Sequence, residues 1–133
     1  MAFNCIRQHS GKSREFINTT WAEIKKGQLV ALHWGELIAW HSATEGDILL
    51  VADADTASNA KGGFAVVDST MEFEVDLTSQ TATDIPAWTK MAVNSSTDLT
   101  VATGSGFFLT TEDAHAQATK VIGKFTDLPE AWA

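Results

Sequence analysis

The sequence predicts a mostly β domain, a small β-barrel or β-sandwich carrying one or two short helices and an extended N-terminal arm. Three observations lead there. Short apolar runs recur at close, fairly regular spacing, separated by Gly, Asp, Asn, Ser and Thr. Residues 71–77 alternate strictly, with Met71, Phe73, Val75 and Leu77 on one face and Glu72, Glu74 and Asp76 on the other, as in a half-buried antiparallel strand. Trp34-Gly35-Glu36-Leu37 sits between two apolar runs and reads as a hairpin turn. Helices do not alternate with these strands, so βαβ units are not expected.

Residues 1–26 form the arm, with a short strand around Phe3–Arg7, and residues 27–133 form one β-rich domain. Thr20-Trp21-Ala22-Glu23 fits a helix capping box, with Gly27 as the residue that ends the helix. The same residues fit a strand extension equally well. Residues 29–42 form the clearest hairpin. A type II′ turn at Gly35-Glu36 sets Trp34 opposite Leu37, Leu32 opposite Ala39 and Val30 opposite His41. Both faces of that hairpin are apolar, which calls for cover on both sides. Strands are expected at Ile48–Ala52 and at residues 64–67, 90–93, 99–102, 107–109 and 121–125, and Thr111 can cap a short helix over residues 112–119. No repeat of 20–50 residues stands out.

The 133 residues suffice for one domain with a real core. No apolar stretch is long enough to span a bilayer, and no charged region followed by an apolar run marks a signal peptide. A protein made in the cytoplasm, without a membrane partner, is expected. The single cysteine, Cys5, excludes an intramolecular disulfide. Net charge is −8 and uneven: residues 1–26 hold five cations against two acids, and residues 27–133 hold four against fifteen. The acidic body argues against nucleic acid as a partner. A basic arm on an acidic body suits docking onto an acidic protein surface or a neighbouring copy.

Catalytic and metal motifs are missing from the sequence. His33 and His41 fall on opposite faces of the expected hairpin, which argues against a shared metal. Asp53-Ala54-Asp55 opens like a calcium loop, but Ser58 stands where glycine is needed and Phe64 where glutamate is needed. The stripe Glu72, Glu74, Asp76 reads as a solvated face. No phosphate-binding glycine motif and no nucleophile elbow appears. The expectation is therefore no enzyme, no cofactor and no metal. Of the five tryptophans, Trp34 and Trp40 lie among aliphatic residues and suit core or subunit-interface packing. Trp132 is expected to anchor against a neighbour or to fold back on the domain.

From Gly27 onward the order of segments resembles the capsid decoration (cement, head-stabilising) proteins of tailed bacteriophages. The resemblance rests on Gly27-Gln28-Leu29-Val30, Leu37-Ile38-Ala39, Glu45-Gly46-Asp47, Gly63-Phe64-Ala65-Val66, Trp88-Thr89-Lys90-Met91-Ala92-Val93 and Val121-Ile122-Gly123. It covers about three quarters of the chain. The loop at residues 53–62, the last ten residues and the long arm depart from the pattern. The resemblance implies a β-tulip-like domain standing as a homotrimer on the outer surface of the virion. It also implies a role in clipping subunits of the major capsid protein together. In that setting Phe3, Ile6, Arg7, Lys12 and Arg14 of the arm are the expected capsid contacts, and Trp34, Ile38, Trp40 and Trp132 the expected subunit interface. A small-molecule or carbohydrate-binding β-barrel is the other reading of the same residues.

Overall fold

The computed structural model describes residues 3–7, 13–40, 47–68, 70–104 and 106–126. These residues form eleven strands: β1 (Phe3–Arg7), β2 (Ser13–Ile17), β3 (Leu29–His33), β4 (Glu36–Ala39), β5 (Ile48–Ala52), β6 (Lys61–Val66), β7 (Glu72–Asp76), β8 (Lys90–Ser95), β9 (Asp98–Thr103), β10 (Phe108–Thr110) and β11 (Lys120–Phe125). The chain is mostly β, as the alternation and spacing predicted.

The strands belong to two compact units. The first unit is a five-stranded antiparallel sheet in the order β2-β6-β5-β3-β4, and the second is a six-stranded one in the order β1-β7-β11-β10-β8-β9. Apart from β1, the two orders are the same, strand for strand.

The loops match as well as the strands. In the first unit Ile24 and Thr56 exchange backbone hydrogen bonds as an isolated bridge, and in the second Ile85 and Ala114 do the same. Gly27 N–H donates to Ala52 O, as Trp88 N–H donates to Thr110 O. Asn18 N–H donates to Ala60 O, as Thr81 N–H donates to Ala118 O. Asp53 N–H donates to Gly63 O, as Thr111 N–H donates to Ile122 O. The carboxylate of Asp55 accepts Lys26 N–H at 2.9 Å, as that of Asp113 accepts Ala87 N–H at 2.7 Å. The chain is thus a tandem pair of one structural motif.

Side-chain volumes are exchanged between matched places, which hides the duplication in the sequence. Phe64 of the first unit corresponds to Gly123 of the second, and Leu50 corresponds to Phe108. A Cβ on Gly123 would come 2.3 Å from Leu109 O and 2.6 Å from the Phe108 ring, so the close backbone and the larger residue at Phe108 together demand the glycine. Likewise Thr56 and Gly62 correspond to Ala114 and Val121. A Cβ on Gly62 would lie 1.9 Å from Thr56 Oγ1. One member of each pair is large where its neighbour is small, which keeps each core at close packing.

The first unit's core is Ile24, Val30, Leu37, Leu50, Ala52 and Phe64, with Phe16 edge-on to Phe64 at 6.2 Å. On the opposite face of the same strands Leu29, Ala31, Leu49 and Val51 are buried too, so β3 and β5 are covered on both sides as their apolar runs required. The second unit's core centres on Phe125, whose ring meets Phe3, Phe73 and Phe108 at 5.4–5.6 Å.

Two expectations are corrected. Among the described residues there is no α-helix. At the expected first helix, Asn18 Oδ1 captures the Thr20 N–H, Trp21 turns left-handed, and Ile24 bridges to Thr56. At the expected second, Ala114 bridges to Ile85, Ala116 N–H donates to Asp84, and Gln117 turns left-handed. Side-chain and cross-loop bonds outcompete the helical ladder in both places. The β3–β4 turn is also shifted. Leu32 pairs with Leu37 and His33 with Glu36, so the central residues are Trp34 (φ 51°) and Gly35 (φ 83°), a type I′ pattern. A slip of two residues leaves the paired residues of Val30–Leu32 and Leu37–Ala39 on their expected faces, while Trp34 moves from the sheet into the turn.

Candidate functional site

Three of the largest apolar side chains face solvent. Trp21 is 90% exposed, Trp34 89% and Trp88 67%. All three have left-handed backbone, with φ of 71°, 51° and 68°. A bulky residue in that region costs about 1 kcal/mol or more. The fold spends stability at each of these turns to hold an aromatic ring outside its own core.

Each ring is set by its local chemistry. Trp21 tips the loop between β2 and the Ile24 bridge. That loop is built around Asn18, which is fully buried and uses both ends of its amide. Nδ2 donates to Ala22 O at 2.7 Å and Thr56 O at 3.0 Å, and Oδ1 accepts the Thr20 N–H and hydroxyl. Thr19 Oγ1 ties the loop to Leu37 O of β4 at 3.0 Å. Trp34 tips the β3–β4 hairpin. Just behind it His33 Nδ1 lies 2.6 Å from Asp47 Oδ1, a buried carboxylate at the start of β5, and the His33 ring stacks obliquely on Trp34 at 5.9 Å. Trp88 stands where the first unit has Gly27 (φ 85°), directly after Ala87, whose N–H is held by Asp113.

The remaining expected site residues fall as follows. Phe3, expected as an arm contact with the capsid, is a core residue packed on Phe125. Ile6 is exposed on β1, Arg7 is the last residue of β1, and Arg14 is exposed on β2. Lys12 and Trp132 lie outside the described residues, as does His41. Both described segments of the arm are strands at sheet edges: β1 pairs with β7, and β2 with β6. Ile38 and Trp40 are half-buried.

The acidic stripe on β7 is spoken for by its own unit. Asp76 pairs with Lys120 of β11, and Glu72 accepts the Thr111 hydroxyl at 2.8 Å. Burial pushes the Asp76 carboxyl up, but its hydrogen bonds and charge interactions, that with the Lys120 ammonium first among them, together hold the group below its ordinary range. Burial raises the Asp53 carboxyl, and Lys26 only partly offsets it. In the calcium-like segment, Asp55 is committed to Lys26 N–H and to the Lys25 ammonium at 3.8 Å. Among the described residues no three His, Cys, Asp or Glu side chains cluster closely enough to hold a metal ion. A shallow 140 Å³ depression lined by Glu74, Glu112, Asp113 and Lys120 is open to solvent. No described helix is long and apolar enough to cross a membrane.

Sequence reasoning placed Trp34 on a sheet face and overlooked Trp21 and Trp88 as surface features. The available signal was the company they keep: Trp21 follows Asn-Thr-Thr, Trp34 precedes Gly35, and Trp88 follows Ile85-Pro86-Ala87, all turn contexts. No protein-family model matches the chain, and no curated protein matches it.

Proposed function

We propose that this chain is a structural docking protein, a phage capsid decoration (cement) protein. It binds the outer capsid surface at junctions between major capsid protein subunits and stabilises the head. The observation that carries the docking role is the set of three solvent-facing tryptophans held at left-handed turns. Exposed aromatic anchors on rigid turns are the side chains that dominate protein–protein contacts when buried by a partner. The phage setting rests on the segment resemblance. Several of the resembling segments frame these turns: Gly27–Val30 runs into β3, Leu37–Ala39 lies within β4, and Trp88–Val93 carries Trp88 into β8.

The edge strands fit the same role. Arg14 is exposed on β2 and Ile6 on β1, and each strand is outermost in its sheet, where a partner strand can add. Copies standing as trimers multiply modest contacts into firm attachment. The proposed role is binding and calls for no catalytic group.

Co-sedimentation with undecorated, expanded capsids at low and high salt tests this. Saturable pelleting at a fixed ratio per capsid, weakening with salt, is expected. A folded protein that pellets at neither salt overturns the reading. Quenching of its tryptophan fluorescence by a glycan panel would then favour a carbohydrate-binding module.

A further inference from the structure

The duplication supplies an internal reference for what each turn of the fold requires. At the turn entering the second strand of the shared motif, β3 in one unit and β8 in the other, the first unit has Gly27 at φ 85°, and the second has Trp88 at φ 68°. Both N–H groups make the same bond, to Ala52 O and to Thr110 O at 2.9 and 2.7 Å. Glycine takes this backbone conformation without steric cost, and tryptophan does not. Two-thirds of the Trp88 surface is left in solvent, so packing within the unit does not explain the choice.

The surroundings differ in charge as well. The two turns that meet at the Ile24–Thr56 bridge, residues 23–29 and 54–60, hold Glu23 and Asp55 against Lys25 and Lys26, and so balance. The matching turns of the second unit, residues 84–90 and 112–118, hold Asp84, Glu112 and Asp113 against Lys90, and Lys120, which lines the same depression as Glu112 and Asp113, is paired with Asp76. Asp113 and Asp84 are fixed in place: their carboxylates accept Ala87 N–H and Ala116 N–H, both at 2.7 Å. Trp88 therefore projects from a rigid turn with an acidic collar, two residues after the exposed Pro86.

We propose that Trp88 is a docking anchor of the second unit. It inserts into an apolar socket rimmed by basic side chains on the capsid protein. This inference rests on the decoration-protein reading and adds to it a contact distinct from the basic arm. The ring supplies the buried area, and the collar selects a basic rim and speeds encounter. Such a contact loosens as salt rises.

The test uses the full chain and its Trp88→Gly and Trp88→Asn variants, each tolerant of left-handed backbone. Thermal melting and co-sedimentation with expanded capsids are measured side by side. The expected result is opposite signs: melting temperatures equal to or above wild type, and capsid affinity weaker by roughly tenfold or more. A tryptophan that merely completes the fold would lower the melting temperature and leave the affinity of the folded fraction unchanged, and that result overturns the inference. Variants that bind like wild type also overturn it, while leaving the decoration role standing. Absence of wild-type pelleting removes the decoration role and this contact with it.

Discussion

Asn59 and Gln117 stand at the same place in the two units. Each has left-handed backbone (φ 64° and 73°), and each donates its N–H to a residue of the entering loop, Asn18 O at 2.7 Å and Thr81 O at 2.8 Å. Asparagine tolerates this region well, and glutamine does not. Gln117→Asn should therefore stabilise the chain by about 0.5 kcal/mol, read as a higher urea midpoint with unchanged slope. A lower midpoint would mean that the Gln117 side chain makes a contribution its backbone conformation conceals.

The Asn18 amide holds the loop that presents Trp21. Asn18→Ala removes the donor to Thr56 O and Ala22 O and the buried acceptor of the Thr20 N–H and hydroxyl, and should cost about 2 kcal/mol. Denaturant unfolding checks the cost. Loss of capsid binding at temperatures where the variant is still folded would show that loop order, as well as the ring, serves docking. Stability within 0.5 kcal/mol of wild type, roughly the spread for neutral surface changes, would refute the accounting of these bonds.

The volume exchange predicts a coupled pair. Gly62→Ala drives a methyl into Thr56 and should cost roughly 1–3 kcal/mol. All three nearest atoms to that methyl belong to the Thr56 side chain. Thr56→Ala in the same chain, which reproduces the second unit's Ala114, should recover most of the loss. A double-mutant cycle showing additive rather than compensating effects would contradict the match between Thr56–Gly62 and Ala114–Val121.

The Asp76–Lys120 pair gives a pH dependence of known sign. The Asp76 carboxyl is held below its ordinary value of 3.8, so its contribution is present above that pH and lost as pH falls through the folded value. Lys120 is raised above 10.5 by its hydrogen bond to Asp76, so its share is lost as pH climbs past the folded value. Both side chains are partly exposed, and solvent screening limits the pair to about 0.5 kcal/mol or less. The stability gap between wild type and Lys120→Ala should be largest near neutrality and close at acid pH. A gap that does not vary with pH would assign the effect to packing of the lysine stem.

The strands were legible wherever one physical rule acted alone. The alternation of residues 71–77 placed β7, with Phe73 and Val75 buried and Glu72, Glu74 and Asp76 turned outward. The apolar run Ile48–Ala52 placed β5 at its observed limits. Helix signals failed where a polar side chain offered the backbone a better partner, as Asn18 does for Thr20. The hairpin turn was misplaced because Gly35 suits either central position, and nothing local forbids a tryptophan in the other. The duplication was invisible because matched positions carry different residues: Phe64 against Gly123, Gly27 against Trp88. Of the expected site, Trp34 emerges as an exposed side chain at a turn, Arg14 and Ile6 as edge-strand residues, and Phe3 as core. Trp21 and Trp88 became apparent only when burial and backbone angle were seen together.

The claim that the exposed tryptophans are the docking surface is tested most directly by acrylamide quenching of tryptophan fluorescence, free and on expanded capsids. Binding should sharply lower the quenching constant, because three of the five rings pass from solvent into a contact. The Trp21→Phe, Trp34→Phe and Trp88→Phe variants then identify which rings are shielded. A quenching constant unchanged by saturating capsid would mean that the protein attaches, if at all, through some other face.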